Sequence, residues 1–154
     1  MLKRIFMVPP LILLLSLLVA LIFSFYLPLY RINNSVYQGF GYVFILFGLI
    51  LDFWSLSEFR KAKTTIIPSG KPTFLIMSGP FAFSRNAIYL GYVLILVGLA
   101  IIIQSLAAFI APILMFLAMN IYTIPEEEKI LFNEFGVEYN TYKEKVRRWF
   151  GAGK

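Results

Sequence analysis

A run of 42 residues, from Ser84 to Pro125, contains one charged side chain near its start and is otherwise mostly apolar. A single α-helix of that length would extend about 63 Å, which is twice the thickness of a hydrocarbon core of roughly 30 Å. The run divides naturally at Gln104-Ser105 into two spans of about 20 residues each. The sequence therefore predicts a helical hairpin that crosses a membrane twice, with a kink at Pro112 in its second helix.

Two more apolar runs precede this hairpin, Leu11 to Leu29 and roughly Val36 to Leu56. Of the 154 residues, 60% are hydrophobic and only 14% are charged, whereas soluble domains contain about 25% charged residues. We therefore expect an all-α, polytopic membrane protein with about four transmembrane helices and one domain, 1–154. A cleaved signal peptide is not expected, because the first run is too long and Phe25 to Pro28 offers no small-residue cleavage site.

The basic residues predict the orientation in the membrane. In a four-span arrangement, 13 of the 14 lysines and arginines lie on one side, and only Arg31 lies on the other. Because positively charged loops favour the cytoplasm, we expect a multi-pass protein of the cell membrane with both termini and the 57–85 loop inside. The net charge of +6 is then explained by topology and lipid headgroups, and nucleic acid is not expected as a partner.

The chain contains neither cysteine nor histidine. Disulfides, thiolate nucleophiles and imidazole bases are therefore excluded, and no metal site is expected. After the last span, apolar residues recur at three- and four-residue steps between Ile130 and Val146. This spacing predicts a cytoplasmic amphipathic tail, either one helix or a helix pair with Gly136 as its joint.

Oppositely charged residues stand at the two ends of the predicted hairpin. Arg85 precedes its first helix, and Glu126-Glu127-Glu128 follow its second. Because a hairpin returns its end to its beginning, these groups reach the same membrane face and match a zwitterionic amino-acid group. Simpler interpretations remain open. Arg85 is also suited to an interfacial anchor, the acids to a solvated helix N-terminus, and Asp52 to an ion pair with a nearby lysine or arginine.

Three linked motifs follow one another in the chain: Thr64 to Pro68, Gly79 to Gly91, and Glu127 to Val146. In this order they resemble the isoprenylcysteine carboxyl methyltransferase and phospholipid methyltransferase superfamily, over about residues 47–150. The chain departs from that pattern at Ala87, where the superfamily usually has proline. It departs again at Arg147, where proline would follow Val146.

The resemblance implies that S-adenosylmethionine binds at the cytoplasmic face and donates a methyl group to a lipophilic acceptor from the bilayer. It assigns catalytic roles to Arg85, Tyr89 and Glu127. The cofactor-binding residues that it implies are Gly79, Pro80, Phe81, Arg85, Asn86, Tyr89, Leu90, Gly91, Glu127 and Glu128. Methyl transfer from a sulfonium mainly requires positioning and a suitable field, so a chain without cysteine or histidine can perform it.

Glu127 and Glu128 lie about 100° apart on a helix. We therefore expect one to face the cofactor and the other to brace the loop through Arg85 or a lysine, with Glu126 in solvent. The acceptor's head group stays open at this point. A carboxylate is already nucleophilic at neutral pH, whereas an amine must first lose a proton, and the usual imidazole base is absent.

Two other functions fit parts of the sequence. The first is a non-enzymatic membrane adaptor whose tail helix binds a partner; it fits the composition but leaves the three linked motifs unexplained. The second is a nicotinamide-dependent membrane reductase, because sterol reductases resemble this superfamily in their C-terminal helices. Those reductases are much longer than this chain. The sequence indicates neither a protein partner nor an oligomeric state.

Overall fold

The computed structural model describes residues 8–27, 35–63 and 72–153. These residues form six α-helices, three short segments of tighter or wider helix, and connecting turns. The α-helices are α1 (Pro9–Tyr26), α2 (Ser35–Ala62), α3 (Ala87–Ile103), α4 (Ile110–Ala118), α5 (Ile124–Phe135) and α6 (Val137–Lys145). The predicted all-α, polytopic fold is confirmed. The motif from Thr64 to Pro68 lies outside the described residues.

Three helical stretches are long and apolar enough to cross a membrane: Pro9–Tyr26, Ser35–Ala62 and Leu106–Phe135. The apolar helix α3 is shorter, at 17 residues, and extends about 26 Å, which is close to the hydrocarbon thickness. The chain is therefore a multi-pass membrane protein. Helix α2 continues to Ala62, beyond the predicted end at Leu56, and so carries Glu58 and Lys61 on its last two turns.

The predicted hairpin is present, and it turns at the predicted position. Helix α3 ends at Ile103, and the backbone of the next residue, Gln104, adopts the left-handed conformation with φ 56° and ψ 31°. A 3₁₀ segment, Leu106–Phe109, leads into α4. Pro112 lies in the first turn of α4, where the ring disturbs few helical hydrogen bonds. The helical geometry does change further on, in the π-helical segment Met119–Thr123.

Helix α4, the π-helical segment and α5 form one continuous helical stretch, because Ala118 and Thr123 both keep right-handed helical dihedrals. The interpretation of Glu126 to Glu128 as a helix N-terminus is therefore wrong: the acids lie inside a long helix. The π-helical turn is wider than an α-turn and re-aims the residues that follow it. It thereby sets which of the three acids faces α3.

Helices α2 and α3 approach closely through two pairs of glycines. A Cβ atom at Gly48 would lie 2.7 Å from the carbonyl oxygen of Gly91, and one at Gly41 would lie 2.7 Å from that of Gly98. The pairs are seven residues apart on each helix and run in opposite directions along the chain. Small residues therefore permit backbone contact between antiparallel helices, as is common in membranes.

The remaining helices enclose α3 and cover one end of the bundle. Helix α1 packs against α3 and α4, and the large, fully buried side chains in this cluster include Leu96, Met115 and Met119. At the end where α3 begins, α5 passes through Gly136, with φ +51°, into α6. Tyr139 and Tyr142 of α6 pack against Leu75. The predicted helix pair with its joint at Gly136 is present.

Candidate functional site

The guanidinium of Arg85 stands where the first turn of α3 meets α5 and α6. Its Nη1 donates to the carboxylate of Glu128 at 2.7 Å and to the hydroxyl of Tyr139 at 3.1 Å, while its Nε donates to the carbonyl of Val146 at 2.9 Å. The side chains of Arg85 and Glu128 are only 10% and 15% exposed. None of these three bonds uses Nη2.

Glu127 faces the first turn of α3. Its carboxylate accepts a hydrogen bond from the hydroxyl of Tyr89, a buried residue on the first turn of α3. The next carboxylate along the chain, Glu128, points towards Arg85 instead. Glu126 is paired with Lys129 at the exposed side of the helix. The three consecutive acids thus have three different surroundings.

A second arginine completes the cluster. Arg148 donates to Glu128 through Nη2 at 2.7 Å and Nε at 3.2 Å, so Glu128 is held between two guanidinium groups. Nη1 of Arg148 donates to the amide oxygen of Asn120 at 3.1 Å, and the indole of Trp149 donates to the same oxygen at 3.2 Å. Asn120 lies in the π-helical segment, so this turn is tied directly to the charged cluster.

The two tyrosines of α6 support the cluster as neutral groups. Burial, followed by the charge of Glu128, raises the pKa of Tyr139 to about 12. Burial also raises the pKa of Tyr142 well above its ordinary value, and its hydroxyl donates to the carbonyl of Phe81 at 2.7 Å. Neither hydroxyl therefore ionises near neutral pH, and both hold α6 against the loop before α3.

The C-terminal segment, residues 146–151, crosses this end of the bundle, and its backbone is bonded to the loop before α3. The amide of Arg85 donates to the carbonyl of Arg147 at 3.1 Å, and the amide of Gly151 donates to that of Phe83 at 2.9 Å. The side chain of Asn86 donates to the carbonyl of Arg148 at 2.8 Å. The segment therefore fixes the loop that carries Arg85.

The glycine turn of the second motif lies on the side of α2. Gly79 has φ +59°, and a Cβ atom there would lie 3.0 Å from Cγ of Glu58 and 3.0 Å from Nε1 of Trp54. Glu58 accepts hydrogen bonds from Ser78 and Lys61. Four other residues were also expected to bind the cofactor. Two lie in this turn, Pro80 and Phe81, and two lie near the start of α3, Leu90 and Gly91.

Those four residues also face α2. Pro80 and Phe81 are buried, and the ring of Phe81 packs edge-on against Phe59 with centroids 5.6 Å apart. Leu90 packs into the same apolar cluster, and Gly91 contacts α2 through its backbone. The structure thus brings Arg85, Asn86, Tyr89, Glu127 and Glu128 into one cluster, and it places the glycine turn beside that cluster against a different helix.

Three residues of the cluster were missed from the sequence: Asn120, Tyr139 and Arg148. The signal for Asn120 was an amide inside an apolar span, which is costly in hydrocarbon and usually functional. Arg148 was counted only as a topological charge, and Tyr139 as part of an amphipathic pattern and of the third motif, without a role in the site. Among the described residues, no group of three or more acidic side chains is arranged to hold a metal ion.

Comparison with known proteins gives one family and one relative. A sequence model described as phospholipid methyltransferase matches residues 36–138 of the chain. A protein of Haemophilus influenzae described as uncharacterized is 39% identical over 61 residues, which make up 40% of this chain and 97% of that protein. No solved structure matches the chain. The matched range includes Arg85, Tyr89 and both glutamates of the cluster.

Proposed function

This chain belongs to the phospholipid methyltransferase family, and from that premise we propose that it methylates a lipophilic acceptor with S-adenosylmethionine at the cytoplasmic membrane face. Membership makes it a membrane methyltransferase. The donor, the acceptor and the face of the membrane are the proposed part. The observation that carries the proposal is the pairing of Tyr89 with Glu127 and of Arg85 with Glu128 at one end of α3.

The residues of this cluster fit the chemical groups of S-adenosylmethionine. The donor carries a carboxylate, an ammonium and ribose hydroxyls, and the cluster offers a guanidinium, carboxylates and a tyrosine hydroxyl within one turn of α3 and α5. Arg85 is suited to a carboxylate because its guanidinium is a permanent planar cation, and its Nη2 takes no part in the bonds described above. Glu127 is suited to an ammonium or to hydroxyls, because its carboxylate is already aligned by Tyr89.

When bound, S-adenosylmethionine supplies an activated methyl group on a sulfonium, so the protein needs no nucleophile of its own. What this chain contributes is position. Glu128, held by Arg85 and Arg148, fixes the orientation of the Arg85 guanidinium. Tyr89 holds Glu127 on the bundle side of α5. Positioning of this kind accounts for a large part of the rate of transfer reactions.

The proposed cytoplasmic face is supported by charge. Described basic residues of the α2 end and of the tail lie at the end of the bundle that carries the cluster: Arg60, Lys61, Lys63, Lys129, Lys143, Lys145, Arg147 and Arg148. Helix α6 contacts the loop before α3 there, through Tyr142 and Phe81. If the positive-inside rule holds for this chain, that end faces the cytoplasm.

The test is direct binding of S-adenosylmethionine to the purified full chain in detergent, measured by calorimetry. Transfer of a radiolabelled methyl group into lipid extracts should be measured in parallel. We expect saturable binding and labelled lipid. Binding of a reduced nicotinamide cofactor in place of S-adenosylmethionine would favour the reductase alternative, and binding of neither would favour the adaptor.

A further inference from the structure

Asn120 carries an amide inside the apolar, membrane-crossing stretch Leu106–Phe135, and its side-chain oxygen accepts two hydrogen bonds. Nη1 of Arg148 donates to this oxygen at 3.1 Å, and Nε1 of Trp149 donates to it at 3.2 Å. The indole of Trp149 also stacks on Phe116 of α4, with ring centroids 4.6 Å apart. The C-terminal segment therefore binds this helix by side chains at its π-helical segment.

The guanidinium of Arg148 joins two positions of this helix. Its Nη1 donates to Asn120, and its Nη2 donates to Glu128 at 2.7 Å. Because both nitrogens belong to one rigid, planar group, Asn120 and Glu128 must lie on nearly the same face of the helix. In an unbroken α-helix they would not, since eight residues turn about 800°, which is about 80° more than two full turns.

The π-helical segment removes this difference in direction. The amide of Ile124 donates to the carbonyl of Met119, five residues before it, and the extra residue in this turn takes up about 100° of rotation. Glu128 then lies within about 20° of Asn120 around the helix axis. We call this arrangement the π register and the unbroken helix the α register. In the α register the acid in the same direction would be Glu127.

The register also determines which acid meets Tyr89. In the π register Glu127 accepts the hydrogen bond from Tyr89, and Glu126 pairs with Lys129 at the exposed side of the helix. A change to the α register would rotate all three acids by about 100° relative to the helix before them. Glu126 would then take the direction of Glu127, and Glu127 would take that of Glu128.

The local sequence permits both registers. Pro125 has no amide hydrogen, and in a straight α-helix its ring would meet the carbonyl of Ile121, four residues before it. A wider turn relieves that contact, and so does a kink in the α register. The helix therefore needs contacts from outside to select the π register, and the C-terminal segment supplies them through Asn120.

We propose that Asn120 and Arg148 are positioning residues that hold this helix in the π register. In that register Glu127 faces Tyr89, and Glu126 remains in solvent. The inference rests on the proposed function, because it concerns the acid that is placed to meet S-adenosylmethionine. Both residues act through the direction of that acid.

The register can be measured without a ligand, because the chain contains no cysteine. Tyr89→Cys is combined with Glu127→Cys or with Glu126→Cys in the full chain, and each pair is treated in detergent with a short bifunctional thiol reagent. Mass spectrometry of the digested protein gives the yield of the cross-link. With Asn120 present we expect the pair 89–127 to cross-link in preference to the pair 89–126. With Asn120→Leu this preference should reverse, and an unchanged preference would overturn the proposal.

Two substitutions of Asn120 separate its hydrogen bonds from its polarity. Asn120→Asp keeps the acceptor oxygen and should bind S-adenosylmethionine within about twofold of the native affinity, whereas Asn120→Leu should bind about tenfold or more weakly, as for a lost hydrogen bond to a charged group. Asn133→Leu, at an exposed position of the same helix, is the matched control. A role in membrane compatibility alone predicts the opposite order, because a carboxylate is more costly than leucine in an apolar span. That order in calorimetry would overturn the proposal.

The acid on which cofactor binding depends provides a further readout. Glu126→Gln should be silent in the native chain and should weaken binding by about a further tenfold in Asn120→Leu. Arg148→Lys should produce the same change, since lysine cannot span Asn120 and Glu128, and it tests the proposal even if Asn120→Leu does not fold.

A silent Glu126→Gln in both altered chains would overturn the proposal. Failure of the native chain to bind S-adenosylmethionine would instead overturn the proposed function, and the cross-linking yields alone would then decide the register.

Discussion

Glu127 and Glu128 are neighbours in sequence, yet their carboxylates contact different residues. Glu127 accepts a hydrogen bond from Tyr89, and Glu128 is held between Arg85 and Arg148. The about 100° rotation between consecutive helical residues produces this separation. One acid is thus placed to meet a ligand, and the other to hold two arginines. Their substitutions should have different consequences.

Replacement of each acid by glutamine separates these roles. Glu127→Gln should weaken S-adenosylmethionine binding about ten- to a hundredfold, because loss of one charge-assisted hydrogen bond costs about 1.5–3 kcal/mol. Glu128→Gln should also lower the melting temperature, since it leaves two arginines without their anion. Calorimetry and thermal unfolding in detergent measure the two effects. Glu126→Gln is the matched control, as its carboxylate is exposed beside Lys129. A silent Glu127→Gln with a damaging Glu126→Gln would contradict the assignment.

Arg85→Lys tests the geometry of the guanidinium while keeping the charge. Lysine cannot reproduce both the bond from Nε to Val146 and a contact of the same planar group with a ligand carboxylate. We expect cofactor affinity to fall about tenfold or more, the range for a lost hydrogen bond to a charged group. Arg147→Lys is the control, because the side chain of Arg147 is exposed. Equal affinities of the two variants for S-adenosylmethionine in calorimetry would contradict a cofactor-binding role and favour the interpretation of Arg85 as an interfacial anchor.

The residues of the cluster differ in how far the sequence could predict them. Arg85, Tyr89, Glu127 and Glu128 stand in motifs at the two ends of a hairpin, and a hairpin brings its ends together whatever its details. Arg148 joins them only because the C-terminal segment folds back over α3, and that path depends on backbone bonds to Phe83 and Arg85. No periodicity or spacing in the sequence encodes such a path.

At the scale of helices, the sequence predicted the helix lengths and the positions of the turns, but it did not predict that one helix continues into the next. The hairpin was predictable from the length of the apolar run, and the joint between α5 and α6 was predictable from the glycine at position 136. The unbroken passage from α4 into α5 did not, because Pro125 followed by three acids has the appearance of a new helix start. The π-helical segment Met119–Thr123 reflects packing of one helix against others, and local sequence carries little information about it.

The glycine contacts between α2 and α3 give a prediction at this scale. Gly48→Ala should destabilise the protein by about 1–3 kcal/mol, the usual cost of overpacking, because the new Cβ would meet the backbone of Gly91 at 2.7 Å. Gly39→Ala is the matched control on the same helix, as nothing lies within 4 Å of the position. It should be neutral or slightly stabilising, since alanine favours helix by about 1 kcal/mol over glycine.

Thermal unfolding of the two glycine variants in one detergent provides the measurement. A lower melting temperature for Gly48→Ala alone is expected. If both variants had the melting temperature of the native chain, the close approach of α2 and α3 would not contribute to stability. The same comparison also bears on Asp52, which reaches α3 through the space left by Gly91.

For the whole molecule, the arrangement of the membrane spans leads to a prediction of sidedness. Leu106 lies at the turn of the hairpin and is 61% exposed, and Phe150 lies at the opposite end of the bundle and is 68% exposed. Because the native chain has no cysteine, a single cysteine at either position reports its own side of the membrane. We expect an impermeant maleimide to label Leu106→Cys from outside intact cells and Phe150→Cys only after permeabilisation.

The reverse labelling would invert the topology and place the cluster outside the cytoplasm, where S-adenosylmethionine is not supplied.

The overall class of fold could be predicted from the length of the apolar runs alone, because few architectures satisfy backbone hydrogen bonds in hydrocarbon. The assembly of α1 against α3 and α4 was not available, since lipid-facing and helix-facing positions are equally apolar in such a chain.

The backbone bonds that hold the C-terminal segment across the cluster also bear on how this region can change in evolution. A carbonyl or amide is present whatever side chain the residue carries, so a substitution at an exposed position such as Arg147 leaves the bonds to Arg85 and Phe83 intact. An insertion or deletion of one residue between α6 and Gly151 shifts every one of these bonds at once. Natural variation at exposed positions such as Arg147 should therefore be free in identity, whereas the spacing of the segment and the residues that bond through their side chains, Arg148 and Trp149, should be kept.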